Sequence, residues 1–329
     1  MKRALIVKVT SLGDVVHCQP LVADLRRAFP GIGIDWALDA AFADIPRWNP
    51  GVDRVLSAPL RRFKSARSLS DMRAIAASIG ELRRVRYDAV LDVHGVYKSA
   101  IISFLARARH RYGYRARDLG ERGAAFAYSR RFSRQPGHTA WQGVRETVGQ
   151  ALGYSVSHDA DFGLVAPTEG PLPVAVAGSY AVLLHAASGD EKKWPIKHWQ
   201  QVARALVLDG VTPLLPWHAP AEQRDAAAIA AAVPEAVLLP RLSVADLGRL
   251  LASATVVVGV DTGLTHLANA FGRPTVMIFV ATSRELYGID RLGSGISVGE
   301  EGTPPSVDAV REAIAAVRPA PDGQLRVPR

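Results

Sequence analysis

One segment near the end of the chain combines the residue types that bind an anion at the start of a helix. In "VGVDTGLTHLANAFG", residues 258–272, an apolar run stops at Asp261, Thr262 and Gly263, and a helical pattern that contains His266 follows. A glycine there lets a ligand approach the backbone, while unpaired N–H groups and the positive dipole end of the helix attract negative charge. The segment predicts an anion site to which His266 adds a donor. A capped helix in which His266 bonds a neighbouring residue is the alternative interpretation.

A second segment offers a hydroxyl and a cation after another apolar run. "HAASGDEKKWPIKHW", residues 185–199, carries Ser188 and Lys192 shortly before Pro195, a residue that suits the first turn of a helix. A lysine at this point would neutralise phosphate charge, although most surface lysines bind nothing. Glu222 lies near a later helix start, where its carboxylate would either accept ribose hydroxyls or complement the helix dipole.

The first loop of the chain supplies a carboxylate. In "VKVTSLGDVVHCQPL", residues 7–21, Asp14 stands between an apolar strand pattern and a helical pattern. The loop lacks the G-x-G-x-x-G pattern, which argues against a dinucleotide oxidoreductase. Within hydrogen-bond reach of an acceptor hydroxyl, Asp14 would act as a general base that removes the proton as the oxygen attacks. The alternative role of Asp14 is that of a helix cap.

Short β-rich runs alternate with helical patterns along the whole chain, and the series occurs twice. This alternation predicts an α/β protein whose parallel sheets are covered by helices on both faces. We therefore predict two Rossmann-like domains that face each other across a cleft, residues 1–160 and 178–318, with a Pro- and Gly-rich linker at 161–177 and a flexible tail at 319–329. The predicted strands are residues 3–9, 33–38, 54–58 and 88–93 in the first half and 180–186, 211–216, 236–240, 255–260 and 275–280 in the second.

The 329-residue chain is basic only in its first half. Its 48% hydrophobic and 22% charged residues are ordinary for a soluble globular protein. Residues 1–160 contain 26 Lys and Arg against 14 Asp and Glu, a net charge of +12, whereas residues 161–329 contain 14 against 17, a net charge of −3. Arg61, Arg62 and Lys64 belong to this excess. The excess indicates an anionic partner, which is nucleic acid, a membrane surface or a phosphorylated substrate, unless these residues only form a solvated surface.

No segment predicts a membrane span, a signal peptide, a disulfide or a metal site. The apolar run before Lys8 is too short for a signal peptide, and residues 170–189 contain two prolines and lack a sustained apolar stretch. Cys18 is the only cysteine, so no internal disulfide can form. Asp159 and Asp161 have Asp-x-Asp spacing but lie near the linker rather than at a strand end. We therefore predict that the protein uses neither a metal ion nor a cofactor.

The three segments, in this order and spacing, resemble the lipopolysaccharide heptosyltransferases of glycosyltransferase family 9, and the similarity extends over nearly the whole chain. It implies a GT-B fold, ADP-heptose as the donor, the Kdo sugar of the lipid A inner core as the acceptor, and inverting transfer. The Ser-x-Gly-Asp-Val-x-His form of the first loop favours the family member that acts on Kdo. The family member that adds the second heptose, or another transferase of the family, is the alternative.

The resemblance also implies roles for individual residues. Asp14 corresponds by position to the family's general base, and Lys192 corresponds to the lysine that contacts the donor phosphate. Ala187 departs from the family pattern, in which a hydroxyl residue can stand at this place, and this puts one donor contact in doubt. The implied donor-binding residues are Ser188, Glu222, Leu242, Asp261, Thr262, Gly263 and His266. The implied acceptor-binding residues are Arg61, Arg62, Lys64 and Arg122, with Arg117 as the alternative to Arg122.

The sequence thus predicts a cytoplasmic glycosyltransferase that attaches peripherally to the anionic cytoplasmic face of the inner membrane and has no nucleic-acid partner. Two other classes are open at this point. A sugar-nucleotide epimerase of similar fold would use the anion site but would leave the basic half unexplained. A non-catalytic protein that binds anions or nucleic acid would leave Asp14 and the donor segment unused, and the chain contains no recognisable nucleic-acid-binding motif.

Overall fold

Two parallel sheets account for the division of the chain into two units, Met1–Val165 and Ala166–Arg329. The division falls within residues 161–177, the predicted linker. Phe162 is buried and its carbonyl accepts a hydrogen bond from Asn49, so the start of this segment still packs on the first unit. The computed structural model describes residues 1–58, 68–135, 139–168, 170–290 and 294–318; the predicted tail, residues 319–329, lies outside them.

The first unit is built on a sheet of short, apolar strands. These strands are β1 (Arg3–Val7), β2 (Gly33–Asp39), β3 (Arg54–Ala58), β4 (Tyr87–Asp92), β5 (Ala108–Tyr114) and β6 (Arg130–Phe132). They are parallel, and their order in the sheet is β3-β2-β1-β4-β5-β6. Strands β1 and β4 are buried along almost their whole length, as expected where helices cover both faces of a parallel sheet.

Amphipathic helices supply that cover. In the helix Pro20–Ala28, Leu21 and Leu25 are buried and form an apolar face. Asp24 on the same helix is also buried, and Arg145 compensates its charge with two hydrogen bonds of 2.8 and 2.9 Å. The described helices of this unit are α1 (Leu12–His17), α2 (Pro20–Ala28), α3 (Asp44–Arg47), α4 (Leu69–Arg83), α5 (Tyr97–Leu105) and α6 (Ala140–Leu152).

The second unit repeats this architecture. Its strands are β7 (Tyr180–Leu184), β8 (Thr212–Leu215), β9 (Val237–Leu238), β10 (Val256–Val260), β11 (Thr275–Ile278) and β12 (Gly295–Val298). All are parallel, in the order β12-β11-β10-β7-β8-β9. Its described helices are α7 (Ile196–Leu208), α8 (Pro220–Ala232), α9 (Val244–Ala252), α10 (Gly263–Ala270), α11 (Arg284–Tyr287) and α12 (Val307–Val317).

A glycine allows α10 to approach the sheet of the second unit. A Cβ atom on Gly259 would lie 2.2 Å from Oγ1 of Thr265 and 2.9 Å from Cβ of Leu184. Both distances are too short for a carbon atom, so a larger residue would push α10 or β7 away from β10. The glycine in the middle of this strand therefore sets the position of the helix that begins directly after it.

The strand order confirms the predicted fold class. Each unit has the order of a Rossmann fold, in which the fourth strand of the unit returns to lie beside the first. The chain is therefore an α/β protein with two Rossmann-like domains, the pair of domains that makes up a GT-B fold. Among the residues that the structure describes, none of the helices is both long and apolar enough to cross a bilayer.

The sequence analysis did not predict three of the strands. β5 has the sequence "ARHRYGY" and β6 has "RRF", so charged side chains interrupt the apolar pattern in both. β12 has only four residues, "GISV", with a glycine at its start. All three lie in the outer part of their sheets, where one face or edge is accessible to water. The register with a neighbouring strand, rather than local preference, makes these segments extended.

Candidate active site

The order of strands reverses once in each sheet, and the candidate residues lie beside these two points. β1 is paired with β4, and β7 is paired with β10, although two other strands separate each pair along the chain. In open α/β sheets, ligands bind beyond the carboxyl ends of the strands at such a switch point. We call the segments after β1 and β4, residues 8–14 and 93–96, the first corner. The segments after β7 and β10, residues 185–195 and 261–266, are the second corner.

Asp14 lies in the first corner and is held as a carboxylate. Nζ of Lys8 lies 3.3 Å from Oδ1 of Asp14. The backbone N–H and the hydroxyl of Ser11 donate hydrogen bonds to Oδ2, with lengths of 2.9 and 3.0 Å. Burial by itself would raise the pKa of Asp14, but the charge of Lys8 and the hydrogen bonds from Ser11 outweigh burial and lower it. Asp14 is therefore ionised at neutral pH, and it also caps α1.

His94 belongs to the same corner and was not predicted from the sequence. Its Nδ1 accepts a hydrogen bond of 3.3 Å from the backbone N–H of Val9, so the proton of the neutral ring is on Nε2. Burial, with a smaller contribution from the charge of Lys8, lowers the pKa of His94 to about 4. The ring is neutral at physiological pH and carries one N–H donor. The signal was available in principle, because His94 follows the strand that a Rossmann order places beside β1.

Asp92 fixes the loop that carries His94. Its carboxylate is fully buried and accepts hydrogen bonds from the backbone N–H groups of His94 and Gly95, at 3.0 and 3.1 Å. The hydroxyls of Ser103 and Tyr128 donate to its other oxygen at 3.1 and 2.8 Å. Burial raises the pKa of Asp92, and the hydrogen bonds from Gly95, Tyr128 and His94 oppose that shift. The loop after β4 is thus held by a buried group of hydrogen bonds before any ligand binds.

Lys192 and Lys193 lie side by side in the second corner but differ in their partners. Nζ of Lys193 lies 2.8 Å from Asp190 and 3.1 Å from Asp225, and its hydrogen bonds to these carboxylates raise its pKa. Lys192 ends the short 3-10 helix Asp190–Lys192, and its side chain forms no hydrogen bond or ion pair with any residue in the described part of the chain. Lys192 is therefore the cation that this corner leaves for an anionic ligand, and Ser188 lies exposed in the same loop.

Asp261 and His266 form a pair at the end of β10. Nε2 of His266 lies 3.1 Å from Oδ1 of Asp261, and both side chains are largely buried. Burial alone would raise the pKa of Asp261, but His266, Thr282 and the charge of Lys192 together lower it. Because the charge of Lys192 acts on Asp261, the two segments of the second corner, residues 185–195 and 261–266, form one site. Thr262 is the N-cap residue of α10, and Gly263 is the first residue of the helix. The side chain of Thr262 makes no capping hydrogen bond, so it does not cap the N–H groups of the first turn.

Glu222 and Leu242 lie on the other side of β7, after β8 and β9. One carboxylate oxygen of Glu222 accepts hydrogen bonds from the N–H groups of His218 and Ala219, at 2.7 and 3.1 Å. Glu222 therefore lies in the first turn of α8, where its charge complements the helix dipole, and its hydrogen bonds to the backbone use only one of its two oxygens. Arg241 hydrogen-bonds His218 at 3.1 Å, which joins the loop of Leu242 to the loop of Glu222. All these loops lie at the carboxyl edge of one parallel sheet.

His185 connects the second corner to the start of α8 and was also missed. It is buried at the end of β7, and its Nε2 lies 3.1 Å from the carbonyl oxygen of Glu222. Since a carbonyl only accepts, Nε2 carries the proton. A histidine directly after a strand was visible in the sequence, but its partner lies 37 residues further along the chain.

The predicted acceptor residues are only partly visible. Arg61, Arg62 and Lys64 lie outside the described residues. Arg122 is exposed and begins the 3-10 helix Arg122–Ala127. Its predecessor Glu121 bonds the chain at the first corner, because the N–H of Glu121 donates to the carbonyl of Gly95 at 3.3 Å.

Two other residues of interest have structural roles. Cys18 is buried, and burial raises the pKa of its thiol to about 12, so the thiol is protonated and unreactive. Asp161 accepts a hydrogen bond of 2.9 Å from the N–H of Gly163, which stabilises a turn. In the described ranges of the chain, His, Cys, Asp and Glu side chains do not gather in groups of three or more that could hold a metal ion.

Comparison with known proteins gives this geometry a family. The model of glycosyltransferase family 9 (heptosyltransferase) matches residues 75–305. Lipopolysaccharide heptosyltransferase 1 of Escherichia coli (strain K12) is 36% identical over 290 residues, which cover 87% of this chain and 90% of that protein. The structure of E. coli heptosyltransferase WaaC with ADP is 34% identical, with a TM-score of 0.83 over 95% of this chain and 99% of the other. The structure of the same enzyme with ADP-2-deoxy-2-fluoro heptose is 33% identical, with a TM-score of 0.77 and the same coverage. These matches extend over most of the chain, and the chain therefore belongs to glycosyltransferase family 9, the heptosyltransferase family.

Proposed function

We propose that this chain is an inverting glycosyltransferase that transfers L-glycero-D-manno-heptose from ADP-heptose to the Kdo sugar of the lipid A inner core. Membership of the family supports the reaction class, and the E. coli enzyme whose structure contains ADP supports the nucleotide. The observation that carries the donor assignment is the difference between Lys192 and Lys193. Of the two, Lys193 is paired with Asp190 and Asp225, whereas Lys192 forms no ion pair in the described part of the chain and lies in the same corner as the start of α10.

In the proposed donor site, Lys192 and the first turn of α10 stabilise the ADP phosphate that leaves. A lysine adds a point charge and a helix start adds N–H donors, so fixed protein groups provide the electrostatic stabilisation and no metal ion is required. Ser188 donates to a phosphate oxygen. The ionised carboxylate of Asp261 would repel phosphate, so we assign to it the heptose hydroxyls and the orientation of His266, and to His266 a contact with the diphosphate or the sugar.

The nucleoside end of the donor occupies the loops after β8 and β9. The oxygen of Glu222 that is not used for capping accepts a ribose hydroxyl, and the half-buried side chain of Leu242 packs on the adenine ring. Thr262 and Gly263 complete the phosphate site, because a residue without a side chain lets the phosphate approach the backbone.

Asp14 is the proposed general base. The acceptor hydroxyl transfers its proton to Asp14 as its oxygen attacks C1 of heptose, and the electron pair of the breaking C1–O bond leaves with ADP. Attack from the face opposite to ADP inverts the configuration at C1. The lowered pKa of Asp14 supports this role because the carboxylate is already ionised when the acceptor binds. Arg61, Arg62, Lys64 and Arg122 bind the carboxylate and phosphate groups of the acceptor.

The proposed location follows from the acceptor and the charge of the first unit. A chain whose residues 1–160 carry a net charge of +12 is attracted to an anionic membrane surface. We assign the protein to the cytoplasm, bound peripherally to the cytoplasmic face of the inner membrane. Attachment of this kind weakens as salt is added, because salt screens exposed charges. Nucleic acid is not among the proposed partners.

The test of the proposed function is the identity of the acceptor and of the product. The purified protein is incubated with ADP-heptose and either Kdo-lipid A or Kdo-lipid A that already carries one heptose, and products are identified by mass spectrometry and NMR. We expect one heptose to be added to Kdo-lipid A, with the inverted anomeric configuration, and the same rate in EDTA. Addition only to the heptose-bearing acceptor would instead support the family member that adds the second heptose. Addition to neither would refute the proposal.

A further inference from the structure

One side of the first unit exposes large apolar side chains that form a continuous surface. Tyr97, Ile101 and Phe104 lie at spacings of four and three residues, on one face of α5, and each is 47–56% exposed. Phe126 is 55% exposed, and its ring centroid lies 5.7 Å from that of Phe104. We call these four residues the α5 apolar surface. Single exposed apolar residues are common in soluble proteins, but a continuous group of this size marks an interaction site.

The 3-10 helix Arg122–Ala127 and α5 hold this surface together as one unit. The hydroxyl of Tyr97 lies so close to Gly123 that a Cβ atom there would be 1.8 Å from it, so Gly123 is the residue that lets the ring lie on the 3-10 helix. Phe126, at the other end of the 3-10 helix, contacts Phe104 at the other end of α5. The surface is therefore preformed and extends along both helices.

Two arginines lie beside the α5 apolar surface, and two further exposed cations stand on the same two helices. Arg111 donates hydrogen bonds to the carbonyl groups of Ser103 and Ala106, at 2.9 and 2.8 Å, which fixes its guanidinium at the end of α5 beside Phe104. Arg131 donates to the carbonyl of Ala125 at 2.7 Å, directly before Phe126. Lys98 follows Tyr97, and Arg122 precedes Gly123. In the described residues, none of the four cations forms an ion pair with a carboxylate. The carboxylate of Glu121 accepts a hydrogen bond from the N–H of Tyr97.

We infer that the α5 apolar surface docks on an anionic lipid bilayer, with the four aromatic and aliphatic side chains entering the acyl boundary and the cations binding lipid phosphates. Exposed aromatic residues with lysine and arginine around them are the composition that binds this interface. The inference rests on the proposed function in one respect. α5 begins directly after the first corner, so a bilayer on this surface would bring a lipid-anchored acceptor to the side of the unit that carries Asp14.

The test compares the wild-type protein with the double variant Phe104→Ser/Phe126→Ser. Leu208→Ser is the matched control, because Leu208 is 87% exposed but stands on α7 of the second unit. Sedimentation with phosphatidylcholine vesicles, with and without phosphatidylglycerol, gives the partition coefficients, and the melting temperature shows whether each variant is folded. We expect the wild type and Leu208→Ser to bind only the anionic vesicles, and the double variant to bind them about tenfold or more weakly.

Activity and oligomeric state separate the outcomes. With ADP-heptose and a deacylated, water-soluble acceptor, the double variant should retain the wild-type rate, whereas with Kdo-lipid A in anionic vesicles its rate should fall with its binding. Equal vesicle binding by the wild type and the folded double variant would overturn the inference, as would a wild type that binds no vesicles. A dimer that the double variant converts to a monomer would assign the surface to a second copy of the chain and also overturn it. A wild type that binds anionic vesicles but transfers heptose to neither acceptor would refute the proposed function and leave the docking surface standing.

Discussion

The two units share a strand order, yet the charged groups at their corners are arranged in opposite ways. In the first corner, the cation Lys8 lies beside Asp14 and keeps it ionised, so the group presented to a ligand is a carboxylate. In the second corner, the carboxylate of Asp261 is hydrogen-bonded to His266, and the cation Lys192 forms no hydrogen bond or ion pair with any described residue. The same strand order thus presents a proton acceptor, Asp14, in one unit and a cation for an anionic ligand, Lys192, in the other.

The largest effect is expected from Asp14→Asn. The amide oxygen can still accept the hydrogen bonds of Ser11 that cap α1, but the side chain can no longer take a proton. Loss of a general base lowers kcat by about a hundredfold or more. Steady-state kinetics measure this loss, and calorimetric titration should show unchanged affinity for ADP. Ser11→Ala, which keeps the carboxylate, is the control and should lose far less activity. An Asp14→Asn enzyme with the wild-type kcat would end the assignment of the base.

The next effect separates the two adjacent lysines. Lys192→Gln removes the unpaired cation, and kcat/KM for ADP-heptose should fall by about ten- to a hundredfold, the usual worth of a hydrogen bond to a charged group. Lys193→Gln is the matched control, since its charge is bound to Asp190 and Asp225, and the expected change in its kcat/KM is small. Equal losses in the two variants would show that the ion pairs do not decide which lysine binds the donor.

The smallest effect is a change in pH dependence. Lys8→Met removes the charge that lowers the pKa of Asp14, so that pKa should rise. Because the base acts only when deprotonated, the acidic limb of the profile of kcat/KM against pH should move to higher pH. The rate should fall by about a few-fold at the acidic end and recover as the pH rises. Lys2→Met, which removes an exposed charge from the same unit, should leave the limb in place. A Lys8→Met limb at the wild-type pH would show that Lys8 does not tune the base.

The sequence was sufficient to predict the central strands and the loops at which they end. The runs of β1, β7 and β10 are apolar and stop at loops that contain Asp14, Ser188 and Asp261, so local pattern predicts both the element and the candidate site. The strands β5, β6 and β12, which lie in the outer part of their sheets, were missed because pairing with neighbours, rather than composition, makes them extended.

The partners of the site residues could not be predicted in the same way. His94 reaches the first corner only because β4 pairs with β1, a contact between segments about 85 residues apart. Which of Lys192 and Lys193 is free to bind a ligand depends on the position of Asp225 on α8, which pairs with Lys193. The spacing of residues in the sequence does not predict this contact. Interaction of Glu222 with the helix dipole was one of its two predicted roles, but the capping hydrogen bonds to a single oxygen are visible only in the structure. Which groups stay unpaired is a property of the folded chain, and it decides the chemistry.

The central claim is that the donor site of the second unit and the base of the first unit serve one reaction. Its most direct test measures ADP release from ADP-heptose by the wild type and by Asp14→Asn, each with and without Kdo-lipid A. The account predicts release by the wild type only when the acceptor is present, and almost none by Asp14→Asn although it still binds the donor. Release by the wild type that does not depend on the acceptor, or equal release by Asp14→Asn, would contradict it.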